Sequence, residues 1–150
     1  MEGRVALRAL FMSYATLDTI ADSFWIVFAL SLALAALWKL RARGGSFLLR
    51  AALSVALCQQ VSKFIQKRDG FGLGHHFPST HFAVALALMV GFWVLGRRFG
   101  LAATLATLGY GALMLWQRYH APAEMLGAFF AVPVALACQW KPKKAPVAAH

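Results

Sequence analysis

Four of the five histidines lie in or directly beside two short polar segments that separate apolar runs. The first segment is Lys63–Thr80, with His81 directly after it, and the second is Arg118–Pro122, which contains His120. Ionisable side chains at a membrane boundary are costly, so such clustering indicates a functional site. Imidazoles can serve as nucleophiles and as general acids, and lysines and arginines neutralise anionic oxygens. These residue types together predict phosphoryl transfer.

His120 lies four residues before Glu124, a spacing that lets the carboxylate hold one ring nitrogen while the other attacks phosphorus. His81 is then available to protonate the leaving oxygen. Charge neutralisation is assigned to the bases of the same two segments. The candidate cations are Lys63, Lys67, Arg68 and Arg118.

Both histidines lie at predicted helix starts. Ser79 or Thr80 is a plausible N-cap for the helix that contains His81, and Pro122 suits the first turn of the helix after His120. These two helices are predicted to run in the same direction, so their N-termini meet at one face. Free backbone N–H groups at helix N-termini attract anions, which predicts a phosphate cradle there.

The elements that position these residues are predicted to be membrane-spanning helices. Of the 150 residues 61% are hydrophobic, with 15 Lys or Arg against 5 Asp or Glu. This composition argues against disorder, a disulfide scaffold and an ordinary soluble enzyme. We therefore predict a single all-α domain over residues 1–150, a polytopic membrane bundle with five transmembrane helices over 24–140. The five apolar runs are Phe24–Trp38, Phe47–Ser62, His81–Gly96, Leu101–Gln117 and Ala123–Trp140.

The two ends of the chain are predicted to lie outside the bundle. Residues 1–23 show apolar side chains at helical spacing with charges between them, which favours an amphipathic interfacial helix. Residues 141–150 form a basic tail, predicted at the cytoplasmic surface. Cys58 and Cys138 lie inside apolar runs and are interpreted as packing residues.

The distribution of bases predicts the orientation of the bundle. The side with more bases is expected to be cytoplasmic, which places His81 and His120 on the opposite side. The net charge of +10 is explained in this way and requires no nucleic acid. The bases on the predicted cytoplasmic side are Lys39, Arg41, Arg43, Arg50, Arg97, Arg98, Lys141, Lys143 and Lys144.

Three short motifs resemble those of the type 2 phosphatidic acid phosphatase superfamily. Phe77-Pro78-Ser79-Thr80-His81 resembles its Pro-Ser-x-His motif, and His120-Ala121-Pro122-Ala123-Glu124 is similar to its His-x-Pro-x-Asp ending. Lys63 followed by Arg68 resembles its lysine-containing first motif. In size and number of spans the chain looks most like the small bacterial undecaprenyl-diphosphate phosphatases.

The resemblance implies a metal-independent hydrolase that needs no cofactor. His120 would be the nucleophile that becomes phosphohistidine, Glu124 its orienting carboxylate and His81 the general acid. Lys63, Ser79 and Thr80 would hold the phosphate. The implied substrate is undecaprenyl diphosphate in the bacterial inner membrane, with its headgroup between the third and fifth spans, on the periplasmic side.

The chain departs from the family pattern at three places. Gly70 and Phe71 stand where the first motif usually has Arg-Pro, Met114 stands where the third motif has an arginine, and Glu124 replaces an aspartate. An arginine that clamps phosphate bidentately is not readily replaced. Arg68 and Arg118 are the nearest candidates to substitute for the two missing guanidinium groups.

Three alternatives stay open at this point. The pocket could favour another phospholipid, such as phosphatidic acid, phosphatidylglycerol phosphate or a lipid A phosphate. The protein could bind a lipid phosphate without turning it over, and its oligomeric state is undefined. A zinc site is the rival chemistry, although the spacing matches no short zinc motif and nearby bases would repel a cation. Its ligands would come from His75, His76, His81, His120 and Glu124.

Overall fold

The computed structural model describes residues 13–68, 72 and 73, and 76–139. All regular elements in this part of the chain are helical, which confirms the all-α prediction. Two short 3-10 turns, Arg41–Arg43 and Ala128–Phe130, connect neighbouring helices. The helices are α1 (Tyr14–Leu40), α2 (Gly44–Lys67), α3 (Thr80–Leu95), α4 (Arg97–Trp116), α5 (Pro122–Gly127) and α6 (Ala131–Gln139).

Three helical segments in the described residues are long and apolar enough to cross a membrane: Ala15–Lys67, Arg97–Trp116 and Pro122–Gln139. Large apolar side chains cover their outer faces; Leu34 and Leu105, for example, are 70% and 71% exposed. A soluble protein rarely presents so much apolar surface to water. The fold is therefore compatible with a membrane protein, while five separate spans are not confirmed by helix length and composition.

The first of these segments contains two of the predicted apolar runs. The chain turns at Arg41–Arg43, where Arg41 has a φ of 45°, and α1 and α2 then contact each other. Gly44 begins α2 close to α1, since a Cβ there would lie 3.3 Å from the carbonyl oxygen of Ala36. The predicted break between the first two runs is thus confirmed as a helical hairpin.

The structure differs from the prediction at the start of α1. We predicted a separate amphipathic helix ending near residue 23, but α1 begins after the N-cap Ser13 and continues without a break to Leu40. No glycine or proline interrupts residues 14–40, so nothing in the sequence ends the helix there. Residues 1–12 of the predicted interfacial helix, and the basic tail 141–150, lie outside the described residues.

Helix α3 forms the centre of the bundle. It contacts α1, α2, α4 and α6, and most of its side chains are buried. A helix that is apolar on all sides belongs inside a protein, which explains how a 16-residue helix can be shorter than a usual membrane span. The two ends of α3 therefore define the two ends of the bundle.

Several of the bases that were predicted on one side of the bundle lie together near one end of α3. Lys39, Arg41 and Arg98 line one cavity of about 630 Å³ near the C-terminus of α3. The Lys39 ammonium group donates a hydrogen bond to the Leu95 carbonyl oxygen there. His81 lies at the other end. Of the two free cysteines, Cys58 is buried and Cys138 is half-buried inside the helices, as expected of packing residues.

Candidate functional site

The start of α3 and the start of α5 are joined directly. The Ser79 backbone N–H donates to the Glu124 carbonyl oxygen at 3.0 Å, and the Ser79 Oγ accepts the Phe82 N–H at 3.3 Å. Ser79 is therefore the N-cap of α3, as predicted, and Pro122 occupies the first turn of α5, also as predicted. Two of the backbone donors expected to bind phosphate, those of Ser79 and Phe82, are thus already used within the protein.

His120 stands between Glu124 and Ser79. Its Nδ1 lies 2.8 Å from Glu124 Oε2, and its Nε2 lies 3.1 Å from Ser79 Oγ. Both members of this hydrogen-bonded pair are nearly buried, with 9% of the His120 side chain and 13% of the Glu124 side chain exposed. Glu124 Oε2 also accepts the Ala121 N–H at 3.2 Å, so the carboxylate is fixed at the helix start.

For a neutral His120 ring, the donors and acceptors in this chain define one protonation pattern. An ionised Glu124 can only accept, so His120 Nδ1 carries the proton and donates it. Nε2 is then unprotonated and accepts the hydroxyl hydrogen of Ser79, whose own oxygen accepts the Phe82 N–H. The nitrogen that carries the lone pair of the ring is therefore Nε2, and Ser79 bonds to it.

A contact from α1 fixes the residue before His120. The Tyr119 hydroxyl donates to Asp18 Oδ1 at 2.6 Å, and the Tyr119 ring lies edge-on to the His120 ring with centroids 4.7 Å apart. The Tyr119 N–H donates to the Met114 carbonyl oxygen at the end of α4. His120 is thus positioned by α1, α3, α4 and α5 together.

His81 is held by a different helix. Its Nε2 lies 3.1 Å from Asp22 Oδ1 on α1, and because the carboxylate can only accept, Nε2 donates. His81 opens onto a cavity of about 310 Å³, here called the polar cavity, between α1, α2 and α3. Its lining residues are Asp22, Trp25, Gln59, Lys63, Thr80, His81 and Val84.

A glutamine of α2 fixes the segment that leads into α3. Gln66 Nε2 donates to the Pro78 carbonyl oxygen at 2.8 Å and to Thr80 Oγ1 at 3.1 Å. These bonds join the C-terminal turn of α2 to the N-terminus of α3. Lys63, one turn before Gln66, is thereby kept beside His81 in the polar cavity.

The structure does not bring all of the predicted phosphate ligands together. Lys63 and Thr80 line the polar cavity, whereas Arg68 and Arg118 do not. The Arg68 guanidinium lies over the Phe64 ring, 4.8 Å from its centroid, and Arg118 is exposed in a turn with a φ of 56°. Met114, at the place of the missing arginine, is fully buried in the core. Gly70 and Phe71 lie outside the described residues.

The position of the polar cavity also differs from the predicted headgroup position. The prediction placed the headgroup between the third and fifth spans, but the cavity is bounded by α1, α2 and α3. The starts of α3 and α5 are instead joined by the Ser79 bonds, which leave the backbones in direct contact. Ser79, His120 and Glu124 do not line the polar cavity, and Ser79 directly precedes the cavity residues Thr80 and His81 in the chain.

The pKa of His120 lies below its usual value of 6.5, because burial disfavours the charged ring more than the Glu124 bond favours it. The nearby imidazoles of His81 and His76 lower it further. The depressed value keeps Nε2 unprotonated at neutral pH. It also identifies His81 and His76 as electrostatic neighbours of His120, at the same end of the bundle.

This lowered pKa makes stability depend on pH. Below pH 6.5 the unfolded chain binds a proton at His120 more readily than the folded chain, so stability falls as pH decreases from 6.5 toward the folded pKa. We expect the thermal unfolding midpoint in detergent to drop between about pH 7.5 and about pH 5.5. The His120→Asn variant should lose less over this range, and an equal loss in both proteins would contradict the assignment.

No group of three histidine, cysteine or acidic side chains is close enough to hold a metal ion within 13–68, 72–73 and 76–139. The predicted zinc ligand His75 lies outside the described residues. His81 and His120 each pair with a different carboxylate, Asp22 and Glu124 respectively. This arrangement fits two separately oriented imidazoles.

Sequence reasoning missed four of the residues that position this site. Asp18 and Asp22 were assigned to an interfacial helix, although their spacing of four residues places them on one helix face. An acidic pair on a helix that continues into an apolar segment is itself a signal for polar partners on neighbouring helices. No comparable sequence signal marks the other two. The four residues are Asp18, Asp22, Gln66 and Tyr119.

The sequence and the structure were compared with known families, proteins and structures. No protein-family model matches the sequence, and no curated protein and no solved structure is significantly similar to it.

Proposed function

We propose that this protein is a membrane lipid phosphatase that transfers the terminal phosphoryl group of its substrate to His120. The observation that carries the proposal is the oriented imidazole: His120 Nδ1 bonds to Glu124 at 2.8 Å, and Nε2 is left as the nucleophilic nitrogen beside Ser79. The sequence motifs around His81 and His120 support membership of the type 2 phosphatidic acid phosphatase superfamily.

In the first step, His120 Nε2 attacks the terminal phosphorus and the bond to the bridging oxygen breaks. Glu124 stabilises the positive charge that develops on the ring. Ser79 must first turn its hydroxyl hydrogen from Nε2 toward a phosphoryl oxygen, because the lone pair on Nε2 is otherwise occupied. The product of this step is a phosphohistidine and a lipid that has lost one phosphate.

His81 supplies the proton that the leaving oxygen needs. Asp22 holds the Nε2 proton of His81, so the proton that passes to the leaving oxygen is the second proton, carried on Nδ1 when the ring is in its imidazolium form. Lys63, the lysine of the polar cavity, balances the negative charge of the phosphoryl oxygens. In the second step His81 accepts a proton from water, which attacks the phosphohistidine and releases inorganic phosphate.

The proposed substrate is a polyprenyl diphosphate, with phosphatidic acid, phosphatidylglycerol phosphate and lipid A phosphates as the other members of the same class. The proposed location is the bacterial inner membrane, in five spans formed by α1, α2, α3, α4 and the segment Pro122–Gln139. The excess of bases at the opposite end of the bundle supports a periplasmic position for His81 and His120.

A second candidate function rests on the same geometry. Ser79 Oγ, His120 Nε2, His120 Nδ1 and Glu124 form a serine–histidine–carboxylate chain, an arrangement that can activate a serine for acyl transfer. Ser79 would then attack a lipid ester. Against this function, Ser79 is fully buried and its oxygen already accepts the Phe82 N–H.

A phosphohistidine intermediate would distinguish the phosphatase from the esterase and from a protein that only binds lipid. Purified protein should be mixed with undecaprenyl diphosphate that carries a radiolabelled terminal phosphate and then quenched in alkali. A phosphohistidine is stable in alkali and labile in acid, so label that is lost from the protein in acid supports the proposal. His120→Ala should retain no label. Lipid binding by the parent with neither label nor released phosphate would instead indicate a binder without turnover.

Replacing Ser79 with alanine should lower activity to a different extent for the two functions. For the phosphatase we expect a loss of about ten- to a hundredfold in kcat/KM, since one hydrogen bond to a charged oxygen is removed. For an esterase, the same variant loses its nucleophile and essentially all activity. Labelling of the parent by a fluorophosphonate probe, absent in Ser79→Ala, would favour the esterase and contradict the phosphatase.

A further inference from the structure

The polar cavity continues into an apolar groove that runs along the bundle. A second cavity of about 380 Å³ lies between α1, α2 and α3, and its lining is almost wholly apolar. Trp25 and Gln59 line both cavities. The two therefore share a boundary, with the charged groups at one end and the apolar surface beyond it.

The lining of α1 shows the direction of this groove. Asp22, Trp25, Ala29 and Ala33 follow one another at intervals of three and four residues, which places them on one face of the helix. From Asp22 to Ala33 the helix axis rises about 16 Å at about 1.5 Å per residue. The polar end and the apolar end thus lie in one line along α1.

Helix α2 repeats the pattern in the opposite direction. Lys63 and Gln59 mark the polar end, and Ala56 and Ala52 continue the same face toward Leu48. The distance from Lys63 to Leu48 is about 22 Å along the helix axis. Alanines on both helices leave open the space that larger side chains would fill.

Helix α3 lies along the third side of both cavities. Thr80, His81 and Val84 border the polar cavity, and Leu88, one turn further, borders the groove. All three helices therefore change from polar to apolar lining in the same order. A molecule that fits this surface has a compact polar head, with an anionic group for Lys63, and a hydrocarbon chain attached to it.

We infer that the groove between α1 and α2 holds the hydrocarbon chain of the substrate while Lys63 and His81 hold its phosphate. This inference rests on the proposed function and deepens it, because it places the chain in a defined groove of the protein. The groove covers roughly half of the hydrocarbon thickness of a bilayer, about 30 Å. Chain length and shape then determine specificity through α1 and α2.

Filling the groove tests this inference by activity. In Ala29→Phe and Ala56→Phe the new ring occupies the groove, since Ala29 is half-buried and Ala56 is exposed there. We expect kcat/KM for farnesyl diphosphate to fall at least about tenfold, the loss that follows when about two methylene groups are no longer buried. Isopentenyl diphosphate, which carries a single isoprene unit, should lose little.

Ala106→Phe is the matched control, because Ala106 is an exposed alanine of α4, a helix that does not border the groove. This variant should act on both substrates like the parent. Equal losses on both substrates in the groove variants, or an equal loss in Ala106→Phe, would overturn the inference.

A labelling experiment tests the groove without turnover. The parent protein in detergent is irradiated with a long-chain alkyl phosphonate that carries a diazirine near the middle of its chain, and the labelled residues are identified by mass spectrometry. Label on the groove residues of α1 and α2, lowered in Ala29→Phe, supports the inference. Label spread over the outer face of α4 overturns it.

The two experiments separate the groove from the proposed function. A groove that is labelled in a protein that releases no phosphate from any lipid of the panel would reject the phosphatase and retain the chain site. Phosphate release with a phosphohistidine, but with no effect of Ala29→Phe or Ala56→Phe, would retain the phosphatase and reject the chain site.

Discussion

Replacing His120 with alanine is expected to lower the release of phosphate from undecaprenyl diphosphate by at least about 10⁴-fold, since the nucleophile and the carboxylate that orients it act as one unit. The side chain is nearly buried and bonds to both Glu124 and Ser79, so no neighbouring imidazole can take its position. The measurement is the initial rate of phosphate release by purified protein in detergent.

The matched control keeps His120 and changes the residue that bonds to its Nδ1. In Glu124→Gln the amide still accepts from His120 Nδ1 but no longer stabilises positive charge on the ring. We expect a loss in kcat that is large but smaller than that of His120→Ala, with lipid binding retained in both. Phosphate release by His120→Ala at the rate of the parent would reject His120 as the nucleophile.

Replacing His81 with asparagine is expected to have the second large effect. The rate of phosphate release should fall by about 10²- to 10⁴-fold, a loss that is typical of a missing general acid. The loss should depend on the leaving group. Phosphatidic acid has an alkoxide leaving group that needs a proton, whereas p-nitrophenyl phosphate has a leaving group that departs without one. His81→Asn should therefore be strongly impaired on phosphatidic acid and only weakly on the nitrophenyl ester.

Asp22→Asn tests the carboxylate that holds His81 through its Nε2. As a positioning residue, Asp22 should contribute about tenfold, the effect of one hydrogen bond to a charged group. Its loss should show the same dependence on the leaving group as His81→Asn, and the two losses should not add. A loss that is equal on both substrates would indicate that Asp22 only supports the fold.

The local part of the candidate site was predictable from sequence. Ser79 as N-cap, Pro122 in the first turn and the His120–Glu124 pair all depend on spacings of a few residues, which helix geometry fixes. The helical break near Arg41 was also predictable from local sequence, because charges and two glycines end the apolar run. All of these features appear in the structure.

The long-range part was not predictable in this way. Asp22 is far from His81 in sequence, and only the packing of α1 against α3 brings them together. The prediction that ended the first helix near residue 23 separated Asp18 and Asp22 from the site. Arg68 illustrates a second limit, because as the C-cap of α2 it turns to the Phe64 ring while Lys63, five residues earlier, faces the cavity.

The contact between Tyr119 and Asp18 has a consequence for biogenesis. It joins residues 101 positions apart, and the Ser79–His120 bond joins the middle of the chain to the same loop. A ribosome-bound nascent chain therefore cannot assemble the candidate site before residues up to Glu124 have left the exit tunnel. Truncated translation products that end before Glu124 should lack the activity that we propose.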